Sequence, residues 1–230
     1  MGQIADRLGD IRKNLPSGVK ICAAAKTRNA DEIREALEAG IDAIGMNYLQ
    51  EGLRLQNELG ESTSAVFSKT SWHFIGPIQS NKTSQIAGAF DLIQTVDRFK
   101  IADLLNKRAG ENGKTISILI EVNSGREEQK HGVLPEAVLE LIASLSPFTH
   151  LRISGLMTMG PALEGASLRP FFKETARLYE SLKTLNQENL FPEILSMGMS
   201  DSYREAVDEG ANWVRIGTAI FGPRLTKSLS

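Results

Sequence analysis

The sequence predicts an α/β protein folded as a single-domain (β/α)8 barrel. Short apolar runs of strand length alternate with amphipathic segments of helix length along nearly the whole chain. This alternation predicts a parallel sheet with right-handed crossovers. Eight such runs in 230 residues give units of about 29 residues, which suits a compact barrel with few insertions. An open, doubly wound sheet is the alternative topology.

Each predicted element has a local reason. A first helix covers Ile4–Asn14. A second covers Asp31–Ala39 and ends at Gly40, because glycine commonly follows a last helical turn. A third covers Pro135–Ile142, with proline at the first helical position, where its missing N–H has no partner to lose. The eight strands are predicted over Val19–Ala25, Ala43–Met46, Ser71–Ile75, Leu92–Val96, Ser117–Val122, Ile153–Met157, Glu193–Ser196 and Asn212–Ile216.

The composition narrows the classes of partner. The chain has 26 Lys and Arg residues against 28 Asp and Glu residues, a net charge of -2, and no basic block, so we expect no nucleic-acid partner. Its one cysteine, Cys22, lies in an apolar run and is expected to be a buried thiol. No signal peptide is evident, and no segment reaches the roughly 18 apolar residues of a membrane span. We expect a cytoplasmic monomer without a membrane partner.

Lys26 stands at the end of the first strand, just before a helix start at residues 29–32. In a parallel barrel, the loops after the strands build the functional face. An amine that is partly dehydrated there releases its proton more readily and can then attack an aldehyde. The alternative is a strand-end lysine that simply extends its ammonium group to solvent.

The segments after the seventh and eighth strands suggest an anion site. Ser200 precedes a helix-like segment and is predicted to be its N-cap, which would leave backbone N–H groups facing outward. Gly217 and Thr218 offer a second set of donors, and Gly198 allows a close backbone approach. Barrels often bind phosphate at this place. Ordinary capping and turn formation is the alternative explanation.

Six segments form a larger pattern: AAKT (24–27), GMNYLQE (45–51), WHFIGPIQSNK (72–82), GLMTM (155–159), LSMGMS (195–200) and VRIGTAIFG (214–222). In this order they resemble the motifs of the pyridoxal phosphate homeostasis proteins across nearly the whole chain. The resemblance implies a fold-type III barrel similar to the N-terminal domain of alanine racemase. It also implies that Lys26 carries pyridoxal 5'-phosphate (PLP) as an internal aldimine.

The resemblance further assigns roles to individual residues. It implies that Ser200, Gly217 and Thr218 hold the phosphate. Arg215 would lie near either the pyridine nitrogen or the phosphate, and an arginine at that nitrogen would keep it unprotonated. Asn47 would border the ring or its phenolic oxygen. The implied cofactor-binding set is Lys26, Asn47, Met197, Ser200, Arg215, Gly217 and Thr218.

The chain departs from the family pattern at three positions. Met46 replaces a glutamate, Ala25 replaces a serine, and Arg28 stands where a second lysine often follows. We therefore expect that polar groups near the ring are missing at Met46 and Ala25. Lys130 matches a family lysine that could capture or relay the aldehyde, although it can also be read as a solvated loop lysine. His73 is expected to be a hydrogen-bonded core residue.

The sequence favours a PLP carrier that holds the reactive cofactor and delivers it to PLP-dependent apoenzymes, without robust catalysis of its own. A weak amino-acid racemase is the alternative, but racemisation needs a second acid–base group. We expect no extra domain to supply one, and none of Tyr48, Tyr179 and Tyr203 has an evident reason to face the ring. A cofactor-free barrel enzyme acting on phosphosugars is a third possibility. The three histidines show no metal-ligand spacing, so no metal site is predicted.

Overall fold

The computed structural model describes residues 2–60 and 70–223. Its eight strands close into a barrel in chain order, with every neighbouring pair parallel. The predicted barrel is therefore confirmed, and the open doubly wound sheet is wrong. The strands are β1 Lys20–Ala24, β2 Ala43–Met46, β3 Ser71–Phe74, β4 Leu92–Val96, β5 Ile116–Glu121, β6 Leu151–Thr158, β7 Leu190–Met197 and β8 Trp213–Ile216.

Helices pack around the barrel and cover its outer face. Helix α2 shows how the sequence sets their ends: the Asn29 side chain accepts from the Glu32 backbone N–H, and Glu32 accepts from the Asn29 N–H in return. The described helices are α1 Gln3–Lys13, α2 Ala30–Glu38, α3 Leu49–Gly60, α4 Thr83–Ala89, α5 Phe99–Glu111, α6 Val138–Ser144, α7 Arg169–Leu182, α8 Tyr203–Asp208 and α9 Thr218–Phe221.

Some boundaries differ from the predicted ones. Pro135 opens a single 3-10 turn, Pro135–Ala137, and α6 begins only at Val138. Strand β7 begins at Leu190, although Pro192 interrupts the strand pattern in the sequence. The register shift between the β6–β7 pairs at Ile153 and Gly155 accommodates this irregular start.

The strands separate two buried regions, one outside the barrel wall and one inside the barrel. The main apolar core lies between the strands and the helices, and it includes Ile21, Ile44 and Ile118. Inside the barrel, two smaller apolar clusters form, one of Cys22, Ala43 and Trp213 and the other of Leu92, Leu119 and Met157. Because alternate strand residues point to opposite faces, the inward positions nearer the carboxyl ends of the strands are free to carry polar groups.

Within residues 2–60 and 70–223, no helix combines the length and the apolar composition needed to cross a membrane. The same residues contain no cluster of three or more side chains that could hold a metal ion.

Candidate functional site

A cavity of about 570 Å³ opens at the carboxyl ends of β1, β2, β7 and β8. It brings together six of the seven predicted site residues, from four separate parts of the chain. They are Lys26, Asn47, Ser200, Arg215, Gly217 and Thr218. The candidate site therefore occupies the face at which parallel barrels carry their functional groups.

Lys26 is half-buried one residue beyond the paired end of β1. The Ala25 N–H donates to the Gly45 carbonyl at 2.9 Å, which fixes the backbone immediately before the lysine. Its Nζ lies 4.9 Å from the centroid of the Tyr48 ring. Tyr48, which had no evident reason in the sequence to face the ring, therefore lies beside the lysine.

The residue after the lysine has an uncommon backbone conformation. Thr27 has φ +65, a left-handed value that a β-branched residue rarely adopts. Its N–H donates to Glu51 Oε2 at 3.3 Å, so the α3 carboxylate holds this turn. Backbone strain of this kind persists only where the surrounding structure imposes it.

Ser200 is not the N-cap of α8, and that prediction is wrong. Ser202 precedes α8 instead, and its Oγ accepts from the Met199 N–H at 3.2 Å. The Ser200 Oγ accepts from the Gly217 N–H at 3.3 Å and the Ala219 N–H at 3.2 Å. The serine thus joins the loops after β7 and β8, which is the pair of loops predicted to form the anion site.

The same wall of the cavity holds unpaired donors. Among the described residues, the backbone N–H groups of Ser200 and Thr218 have no hydrogen-bond acceptor. A Cβ added at Gly217 would lie 3.2 Å from the Ala24 carbonyl oxygen, so glycine lets the β8 loop pack closely on β1. Hydroxyl groups and free amides that converge in this way are the donors that a phosphate group requires.

Arg215 forms the polar floor of the cavity and is 4% exposed. Its Nη1 donates to the Ser196 carbonyl at 2.9 Å and to the Ser196 Oγ at 2.7 Å, and its Nη2 donates to the Thr158 carbonyl at 2.8 Å. Burial lowers the pKa of Arg215 to about 10, while Cys22 and Glu121 act in the opposite direction. The side chain remains a cation at neutral pH.

Several residues singled out in the sequence lie elsewhere. Met197 is fully buried in the main core and does not line the cavity. Met46 and Ala25 belong to the same core and do not line the cavity. Lys130 forms an ion pair with Glu127 at 2.6 Å and donates to the Gly160 carbonyl at 3.3 Å. It is therefore neither a free solvated lysine nor part of the cavity lining.

Sequence reasoning missed Glu121, a carboxylate at the end of β5 that is 4% exposed. Its pKa is raised to about 7, mainly by burial and further by Asp97, while Arg215 acts in the opposite direction. The alternation of side chains along β5 could have indicated its position. Leu119 lies in the barrel interior, and Glu121, two residues further along the strand, faces the same side.

The closed parallel barrel places the chain in the class of the alanine racemase N-terminal domain. The family model described as "Alanine racemase, N-terminal domain" matches residues 1–224. Within that class, the chain belongs to the pyridoxal phosphate homeostasis protein family. It is 42% identical to the Pseudomonas aeruginosa member over 91% of this chain and 86% of the relative. It is 36% identical to the Escherichia coli K12 member, covering 97% of this chain and 98% of the relative.

Solved structures agree with this assignment. PipY of Synechococcus elongatus PCC7942 without PLP superposes with a TM-score of 0.87 at 34% identity, covering 95% of this chain and 100% of PipY. PipY with PLP bound gives a TM-score of 0.82 at 33% identity over the same shares of the two chains. Alanine racemase of Clostridium difficile 630 has a TM-score of 0.74 at 16% identity, covering 98% of this chain and 57% of the racemase, which shows a shared fold.

Proposed function

We propose that this protein binds PLP in one barrel domain, holds it covalently on Lys26 and takes part in intracellular PLP homeostasis. One observation carries the proposal: a single cavity joins a half-buried primary amine to a wall where the Ser200 and Thr218 backbone N–H groups have no acceptor among the described residues. The family supports it, since curated relatives are named pyridoxal phosphate homeostasis proteins and PipY has been solved with PLP bound.

The residues of the cavity fit the two ends of this cofactor. When bound, PLP supplies an aldehyde that an unprotonated primary amine attacks, with loss of water, to give a Schiff base. Lys26 is the amine that lines the cavity beside Tyr48. Ser200, Gly217 and Thr218 would hold the phosphate through a hydroxyl group and backbone amides. Arg215 and Asn47 would border the ring.

We infer that the chain is a carrier without robust catalysis. Racemisation needs a second acid–base group placed against the ring. Tyr179 donates its hydroxyl to the Pro192 carbonyl, and Tyr203 is buried. Tyr48 contacts Lys26 itself, so the racemase alternative depends on this one tyrosine. Incubating the PLP-loaded protein with L-amino acids tests it: formation of the D-enantiomer that is lost in Tyr48→Phe would favour the racemase.

The delivery role extends this proposal. We propose a cytoplasmic monomer that hands PLP to PLP-dependent apoenzymes. Cys22, the cysteine of the chain, is a buried free thiol, which agrees with a reducing compartment. Mixing the loaded protein with a PLP-dependent apoenzyme should restore that enzyme's activity faster than the spontaneous release of PLP allows.

Titration with PLP, followed by visible absorbance, tests the binding step. We expect saturable formation of a yellow species in the wild type and its loss in Lys26→Ala. Lys20→Ala is the matched control, because Lys20 belongs to the same strand but lies at its other end, over the Trp213 ring at 5.4 Å. A colourless wild type would favour the cofactor-free barrel enzyme, and equal colour in Lys26→Ala would contradict the role of Lys26.

A further inference from the structure

A chain of hydrogen-bonded polar side chains, all buried except the half-buried Ser71, crosses the barrel and ends at Arg215. The Ser71 Oγ lies 3.1 Å from His73 Nε2, and His73 Nδ1 lies 2.9 Å from the Gln94 amide nitrogen. The Ser196 hydroxyl donates to the Gln94 amide oxygen at 2.7 Å, and Arg215 donates to Ser196 at 2.7 Å. This chain of hydrogen bonds therefore joins β3, β4, β7 and β8 through the barrel interior.

The direction of these hydrogen bonds follows from their chemistry. Arginine has only donors, so Ser196 Oγ must accept from Arg215 and is free to give its own hydrogen to Gln94. With its oxygen so used, the Gln94 amide points its NH2 group at His73 Nδ1. Burial, together with the charge of Lys20, lowers the pKa of His73 to about 3, so the ring is neutral at pH 7.

A neutral histidine that accepts at Nδ1 carries its hydrogen on Nε2, and that hydrogen points at Ser71. Every member then donates in the same sense, from Arg215 towards Ser71. Hydrogen bonds aligned in this way polarise and strengthen one another. His73 is also held by the Trp213 ring, whose centroid lies 4.9 Å from its own.

This chain of hydrogen bonds limits which Arg215 N–H groups can bind a ligand. Of five N–H donors, the two on Nη1 are directed at Ser196 and one on Nη2 at the Thr158 carbonyl. Within residues 2–60 and 70–223, the Nε–H and the second Nη2 hydrogen have no acceptor, so they remain for a molecule in the cavity, which Arg215 lines. The guanidinium plane is thereby fixed from β6 and β7 together.

We propose that Ser196, Gln94 and His73 are positioning residues that hold the Arg215 guanidinium in the orientation in which it meets bound PLP. This inference rests on the proposed function. Neither Gln94 nor Ser196 lines the cavity, so both act through Arg215. The arrangement crosses the barrel between residues 102 positions apart in the sequence, so only the closed fold creates it.

The first test needs no cofactor. Three histidines occur in the chain, so long-range 1H–15N spectra of the apoprotein at pH 7 can assign His73 with one His73→Gln variant. We expect Nε2 protonated and Nδ1 unprotonated. In Gln94→Glu, which cannot donate, we expect Nδ1 to become protonated. A protonated Nδ1 in the wild type, or no change in Gln94→Glu, would overturn the directional chain.

The second test uses the PLP-loaded protein. Loss of a hydrogen bond that orients the charged Arg215 guanidinium should weaken ligand binding about tenfold. Ser196→Ala and Gln94→Leu should therefore raise the Kd for PLP about tenfold and shift the absorbance maximum of the bound cofactor. Ser196→Thr keeps the hydroxyl and should restore both. Ser154→Ala, at another buried serine of a barrel strand, should change neither, with circular dichroism confirming folding in each variant.

The two proposals fail separately. Wild-type Kd and wild-type absorbance in both Ser196→Ala and Gln94→Leu would overturn the positioning role while PLP binding to Lys26 stood. A Ser196→Thr protein no better than Ser196→Ala would also contradict it. A wild-type protein that binds no PLP would contradict the proposed function, and the His73 spectra would still decide the hydrogen-bond chain.

Discussion

Replacing Ser200 by alanine removes the side chain that joins the two loops of the proposed phosphate site. Its Oγ accepts from Gly217 at 3.3 Å and from Ala219 at 3.2 Å, both near the long end of the hydrogen-bond range. Bonds of this quality contribute about 0.5–1 kcal/mol each, so the free energy of unfolding of the apoprotein should fall by about 1–2 kcal/mol.

The same substitution should weaken PLP binding. A hydroxyl hydrogen bond to a phosphate is charge-assisted, and its loss costs about 1.5–3 kcal/mol. Part of this loss is offset because the Gly217 and Ala219 amides no longer have the serine as an acceptor. The expected net effect is a Kd raised about tenfold, which corresponds to about 1.4 kcal/mol.

Ser202→Ala is the matched control for this prediction. Ser202 lies in the same loop, and its Oγ accepts from the Met199 N–H at 3.2 Å and donates to Asp201 at 3.3 Å; among the described residues, its side chain has no hydrogen bond to the β8 loop. Urea unfolding of both apoproteins and absorbance titration with PLP give the comparison. Ser202→Ala should lose about 0.5–1 kcal/mol of stability and keep its Kd. A wild-type Kd in Ser200→Ala, or equal weakening in the two variants, would refute the assignment of the phosphate wall.

Three further predictions concern stability and reactivity. The pKa of Glu121 is raised to about 7 from 4.5, so the folded state binds this proton more tightly than the unfolded state, and the resulting stability is lost as the pH rises from about 4.5 to 7. In urea unfolding, Glu121→Gln should be more stable than wild type at pH 8 and similar to it at pH 4.5. A larger gain at the lower pH would contradict the direction of the pKa shift. Burial raises the pKa of the Cys22 thiol to about 12, so a disulfide reagent should not label the native protein at pH 8 and should label it once in urea. Thr27 has φ +65, so Thr27→Gly should change the free energy of unfolding by less than about 1 kcal/mol, since relief of strain and greater freedom of the unfolded chain nearly cancel. Thr27→Pro, with φ fixed near −65°, should be destabilised by about 3 kcal/mol, and equal stability of the two variants would show that the turn is not as described.

The sequence predicted the order and number of the strands because each strand is an apolar run bounded by polar loops. The prediction was least accurate where register shifts occur, at the starts of β6 and β7. There the chain extends through Pro192 and pairs irregularly, so the period-two pattern is lost. No local signal predicts such a shift, because it depends on the neighbouring strand.

The site was predictable where a residue's place follows from its strand. Lys26, Asn47 and Arg215 reach the cavity because they lie at or just beyond strand ends. The partner of Ser200 was not predictable, since its hydroxyl bonds to amides 17 and 19 residues further along the chain. Met197 was placed in the site by its motif, but its side chain points to the outer core. Local sequence therefore identified the loops, and the contacts between loops required the closed barrel.

The hydrogen bonds of His73 illustrate the same limit. Its burial and pairing were expected, and the structure confirms both at 2% exposure with partners at Ser71 and Gln94. The continuation through Ser196 to Arg215 joins strands that are distant in the sequence. Such a connection arises only when the barrel closes, so it lies beyond what periodicity can predict.

The most direct test of the account is to locate the covalent bond. The protein is incubated with PLP, reduced with borohydride and digested, and the modified peptide is mapped by mass spectrometry. The account predicts one reduced pyridoxyl group on Lys26, which is absent from Lys26→Ala and retained in Lys20→Ala and Lys130→Ala. A modified peptide that lacks Lys26, or an unchanged yield from Lys26→Ala, would contradict it.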